Sequence, residues 1–140
     1  MRGLIQLAKI RNAKVEDLQR RLRRVLDDLA QKEAALKTLQ NEMSAVAAPM
    51  AGSFGDLINF EENRATYRRE IKAAQKEIFT AHQQAFQARF FLKRALSEYE
   101  KVNSVVREEK AAIALSAKKS EEKRLDDAAI NARYMLRGER

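Results

Sequence analysis

Apolar residues recur along the first third of the chain in steps of three and four. Met1, Leu4, Ala8, Val15, Leu18, Leu22, Val25, Leu29, Leu36, Leu39, Met43 and Val46 keep that rhythm, and Arg11 and Lys32 fill two of its slots. Such an alternation has a period of about 3.5 residues, the seam of a left-handed coiled coil. No Gly or Pro interrupts residues 4 to about 46, so the pattern predicts one long helix there. A seam needs a facing helix.

The rhythm stops at Ala47-Ala48-Pro49-Met50-Ala51-Gly52-Ser53-Phe54-Gly55, which holds the only Pro of the chain. Pro49 disfavours helix at Ala48 and removes a backbone donor. Gly52 and Gly55 loosen the backbone, and Ser53 or Asp56 can cap a following helix. A turn over residues 47–56 is predicted. The rhythm then returns through Leu57, Phe60, Tyr67, Ile71, Ala74, Ile78, Ala81, Ala85, Ala88, Leu92, Ala95, Tyr99, Val102 and Val106, with Arg64 in one slot. The second helix is expected over about 57–136.

The predicted fold is all-α: one domain over residues 1–140, built as an antiparallel coiled-coil hairpin. Folding the chain back at residues 51–52 sets Leu36 against Tyr67, Leu29 against Ala74, Leu22 against Ala81, Leu18 against Ala85 and Leu4 against Tyr99. The middle layers put a large residue opposite a small one, which suits close packing at constant spacing. A register shifted by one heptad, with Leu39 against Ile71, satisfies the same pattern with a longer turn. Arg11, Lys32 and Arg64 are defects whose stems can lie along the seam with their charges in water. In the first register the second helix projects beyond the first after Val102. Val105, Val106, Ile113, Leu115, Leu125, Ile130, Tyr134 and Leu136 are apolar there, and an isolated helix of that kind calls for a partner.

Composition sharpens this picture. The chain is 45% hydrophobic but only 6% aromatic, and 34% charged. That mixture with a 3.5 period fits long helices better than a broad globular core. The net charge of +8 is spread along the chain without a dedicated basic tail, so it permits anionic partners without selecting one. There is no Cys, hence no disulfide framework. No apolar run approaches the roughly 20 residues of a membrane span, and Met1-Arg2-Gly3-Leu4-Ile5 lacks a signal-peptide core. A cytoplasmic protein without membrane insertion is expected.

Catalytic chemistry has little to stand on. His82 is the sole histidine, beside seam residue Ala81, and has no second His or Cys to complete a zinc site. Acidic pairs such as Glu61-Glu62 and Glu121-Glu122 are neighbours on a helix and diverge by about 100°. Neither a Gly-rich phosphate loop nor a nucleophile elbow is present. No enzyme activity, cofactor or metal is expected. Arg20, Arg21, Arg23 and Arg24, with Arg64, Arg68 and Arg69, form clusters able to track phosphates, so a basic nucleic-acid-binding hairpin is one alternative. Acidic residues interrupt the rest of that surface and no stacking aromatics accompany the arginines, so nucleic acid is not the expected partner. A generic structural coiled coil that dimerises through its overhang is another alternative.

Both ends of the chain carry a recognisable pattern. Leu4-Ile5-Gln6-Leu7-Ala8-Lys9-Ile10-Arg11, followed by Leu18 and Leu22, resembles the opening of the FliJ family of flagellar type III export proteins, whose virulence counterparts are the YscO-type stalk proteins. Glu121-Glu122-Lys123-Arg124-Leu125-Asp126-Asp127-Ala128-Ala129-Ile130-Asn131-Ala132-Arg133-Tyr134 is similar to that family's closing motif, with Asp127 where Glu is usual. The resemblance implies a non-enzymatic central stalk, peripheral at the base of the export apparatus. Its implied partners are the hexameric export ATPase, the cytoplasmic part of the export gate and, for some members, export chaperones. Because the two motifs lie at residues 4–11 and 121–134 and the hairpin brings Leu4 near Tyr99, the paired termini are expected to face the ATPase. Leu4, Leu7, Ile10 and Arg11 would then meet one part of the ring opening, and Leu125, Asp126, Arg133 and Tyr134 would reach further inside.

Overall fold

The computed structural model describes residues 1–50 and 52–138. Ala51, inside the expected turn and at the expected fold-back point, lies outside the described residues. Two helices make up the described chain, α1 over Arg2–Ala45 and α2 over Phe54–Gly138, and no strand occurs among the described residues. The helices pack against each other. None is long and apolar enough to cross a membrane among the described residues.

The start of α2 follows from local chemistry. The Ser53 backbone N–H donates to Asp56 Oδ2 at 3.1 Å, and the Asp56 N–H donates to Ser53 Oγ at 3.3 Å. This reciprocal pair satisfies two donors that a helix start would otherwise leave open. It starts α2 at Phe54, within the segment expected as turn. Gly52 is fixed by space: a Cβ there would come within 2.9 Å of Asp56 Oδ2 and 3.2 Å of Pro49 Cβ.

The chain divides into two compact units. The first is Lys14–Ala95. Its buried residues are Val15, Leu29, Ala81, Ala85, Ala88 and Ala95, all on the seam read from the sequence. The alanines of α2 are buried because they sit opposite larger α1 side chains, of which Val15 and Leu29 are buried and Leu22 and Val25 keep an exposed edge. Even so, no large side chain is fully buried. Each buried methyl group therefore matters more than in a broad core.

Contacts in this unit correct the first register. His82 Nε2 lies 3.4 Å from Glu33 Oε1. With Leu29 opposite Ala74, those two residues would be on the order of 18 Å apart along the axis. Leu18, Arg21 and Val25 line one groove with Gln84, Gln87, Ala88 and Phe91. Both observations fit the register one heptad away, which sets Leu29 against Ala81, Leu22 against Ala88 and Val15 against Ala95.

The second unit joins Met1–Ala13 to the described residues from Leu96 onward. Val106 is its buried residue. Arg11 Nη1 donates to Glu98 Oε2 at 3.0 Å. This contact supplies the physical reason for the shift. In the first register Arg11 would face Leu92 amid Arg89, Lys93 and Arg94. In the observed one it finds a carboxylate. A charge on a seam selects the register in which it is paired. The seam cations, each partly open to water, also find partners. Arg11 is bound to Glu98, Lys32 Nζ lies 3.1 Å from Asp28, and the Arg64 guanidinium sits 5.6 Å from the centroid of the Phe60 ring. From residue 110 to residue 138 every position of α2 is exposed.

Candidate partner-binding site

The terminal residues singled out in the sequence all fall in the second unit. Leu4 and Arg11 occupy seam slots and are half-buried. Much of their contact is spent on the facing helix, and the charge of Arg11 is engaged by Glu98. Leu7 and Ile10 flank the seam and are 37% and 58% exposed. Of the first group, these two offer the free apolar surface.

The second group is open to solvent. Leu125 is 58% exposed and Tyr134 78%, with Asp126 and Arg133 exposed too. Among the described residues, no hydrogen bond or ion pair links Leu125, Asp126, Arg133 or Tyr134 to residues 1–11. At about 100° per residue, Leu125, Ala129, Ala132 and Leu136 share one side of α2. Ile130 and Tyr134 lie on the opposite side, with Asp126 and Arg133 between. The segment is thus apolar on two opposed faces, a pattern that a helix shows where it is surrounded. One flat partner surface could not cover both.

Sequence reasoning passed over a second exposed surface, in the first unit. Phe79, Phe86 and Phe90 are 65%, 72% and 56% exposed. All three are off the seam on the outer face of α2 by their spacing, and Phe79 and Phe86 line one surface with His82 and Gln83. Phe90 also packs edge to face on Phe91, with ring centroids 5.8 Å apart. The signal was present in the sequence as large aromatics out of phase with the 3.5 repeat. His82 is 58% exposed by its side chain and faces Glu33.

A family model described as the flagellar FliJ protein matches residues 1–138. No curated protein and no solved structure matches the chain. The match runs through both terminal motifs and the seam between them, and on that evidence the chain belongs to the FliJ family of flagellar proteins.

Proposed function

We propose that this protein is a central stalk of the flagellar export machinery. Family membership implies a component of the flagellar export apparatus, and the FliJ family is a structural export family rather than an enzyme family. The finer reading is ours. The chain acts as an antiparallel hairpin whose longer second helix projects beyond the first. It binds the hexameric export ATPase through its terminal segments and promotes ring assembly and ATP hydrolysis. The observation that carries this reading is the segment 125–136, exposed at every position and apolar on two opposed faces. A ring opening encloses a helix from all sides and so covers both faces at once. Leu7, Ile10, Leu125 and Tyr134 supply contact area in this scheme, and Asp126 and Arg133 set orientation through charge. Leu4 and Arg11 act by holding the end of α1 in place.

The exposed face of Phe79, Phe86 and Phe90 is assigned to a further apparatus partner, the export gate or an export chaperone. Arg69, Lys72, Lys76 and Lys93 flank it. An exposed aromatic patch of this kind is unusual for a surface without a partner. Location at the cytoplasmic base of the apparatus follows from these partners.

The test is ATP hydrolysis and hexamer formation by the cognate export ATPase. Full-length protein should raise both. A chain ending at Lys110 keeps Val106, the buried residue of the second unit, and should lose the effect while staying helical. Leu125→Ser with Tyr134→Ser should mimic the truncation. Equal stimulation by the shortened chain would refute the assignment of the terminal segment.

A further inference from the structure

One face of α2 in the first unit sets aromatics between cations with no acid among them. At about 100° per residue, Phe79, Phe86 and Phe90 fall within about 20° of a single line along the helix. All three are more than half exposed. Lys72 and Lys76 precede them and Lys93 follows them, exposed and within about 60° of that line. No Asp or Glu occurs between Glu77 and Glu98. Glu70 and Glu77 lie on the far side of the helix, at about 160–180° from the line.

Ion pairs leave this charge in place. Arg68 falls on the same line but is 3.4 Å from Glu61. Lys72, Lys76 and Lys93 have no carboxylate within ion-pair distance among the described residues. From α1, Glu33 reaches the edge of this face, 3.4 Å from His82 Nε2. His82 stands about 60° to one side, so that carboxylate flanks the line without interrupting it. The line is thus cationic at both ends and aromatic between.

We propose that this line rests on the surface of a bilayer rich in anionic phospholipid, with Phe79, Phe86 and Phe90 sunk at the headgroup boundary and Lys72, Lys76 and Lys93 against the headgroups. Shape and charge select this occupant together. A flat sheet touches a straight helix along one line, which is how these residues are laid out. A bilayer offers anionic headgroups and apolar chains at every point, so it meets both ends of the line and its middle at once. A nucleic-acid strand carries a phosphate at every step, yet from Lys76 to Lys93 the line runs about 25 Å with no Lys or Arg on it. An acidic protein would need its carboxylates in two groups that far apart with apolar side chains between. The inference goes beyond the apparatus partner assigned to these phenylalanines and does not rest on it; bilayer and partner would take the face in turn.

The chain has no Trp, so Phe86→Trp in the full chain places one fluorescent reporter on the line. It is mixed with vesicles of phosphatidylcholine, with or without about 30 mol% phosphatidylglycerol, at about 150 mM salt, where distant charges are screened. Anionic vesicles should shift its emission to the blue and, with bromine on the lipid chains, quench it. Neutral vesicles should bind at least about tenfold more weakly. In vesicle sedimentation, Lys72→Glu with Lys76→Glu and Lys93→Glu should cost at least about tenfold. Phe79→Gln with Phe90→Gln should cost at least about fivefold, with helical content unchanged. Lys110→Glu with Lys118→Glu and Lys119→Glu makes the same net-charge change elsewhere on α2 and should leave binding within about twofold. Equal weakening by that control would show bulk charge attraction and overturn the proposal. Failure to bind anionic vesicles would overturn it, as would binding without blue shift or quenching, because the rings would then stay in water. A blue shift with oligothymidylate and none with vesicles would give the line to nucleic acid instead. Every mixture lacks apparatus proteins, so failure here leaves the terminal assignment to the ATPase standing.

Discussion

The observed register makes a sharp prediction for crosslinking. The chain has no cysteine, so engineered pairs report without background. Leu29→Cys with Ala81→Cys puts two thiols on buried seam positions that this register sets against each other. Leu29→Cys with Ala74→Cys tests the alternative one heptad away. A heptad is about 10 Å of helix, and Cα atoms more than about 7 Å apart cannot be bridged without moving the backbone. Mild oxidation should therefore close the first pair within one chain and leave the second largely reduced. The closed loop of some 50 residues should raise stability by about 4 kcal/mol in the chain-entropy model, less any strain. Non-reducing electrophoresis reads the bond and its intramolecular origin, and urea unfolding reads the gain. Efficient closure of Leu29→Cys with Ala74→Cys would refute the register. Disulfides formed only between chains would refute the hairpin.

Other outcomes follow from the same seam. Leu22→Ala faces Ala88, which cannot fill the space, and should cost about 2–4 kcal/mol by chemical denaturation, at the low end because a two-helix seam hydrates readily. Arg20→Ala, on the surface, should cost less than about 0.5 kcal/mol; equal losses would show that the seam is misassigned. A double-mutant cycle on Arg11 and Glu98 should give a coupling of about 0.5–1 kcal/mol, because both side chains remain about one-third exposed. Native-state hydrogen exchange should be fast over residues 110–138 and slow over 81–95, since only the latter stretch buries its side chains. Gly52→Ala should weaken the start of α2 by displacing the Asp56 carboxylate, seen as faster exchange at Ser53 and Asp56.

The seam was readable because burial in a two-helix pairing follows a single period. Val15, Leu29, Ala81, Ala85, Ala88, Ala95 and Val106 were all visible in the repeat. The register was not, because large meets small in either alignment: Leu22 finds an alanine at position 81 or at position 88. What separates the two is a polar contact between residues far apart in sequence, Arg11 with Glu98, and no local pattern reports it. The terminal residues were picked from motifs, and motifs do not say how much of a side chain the fold uses up. Leu4 and Arg11 are partly spent on the facing helix, whereas Leu125 and Tyr134 are largely open to solvent. The phenylalanine face went unread because attention to the 3.5 period discards whatever lies out of phase with it.

The turn between the helices bears on how many copies can share one coil. A hairpin can exchange its second helix with another copy, keeping every seam contact while the connection straightens. Straightening would pull Gly52 away from Pro49 and part Ser53 from Asp56. A helix running on through the turn would lose this capping pair, so the cap should bias the chain toward pairing with itself. Ser53→Ala with Asp56→Ala should increase the exchanged dimer at equilibrium with little change in helical content, as light scattering coupled to size exclusion would read. A few short side chains at the bend would then determine how many copies share one coil.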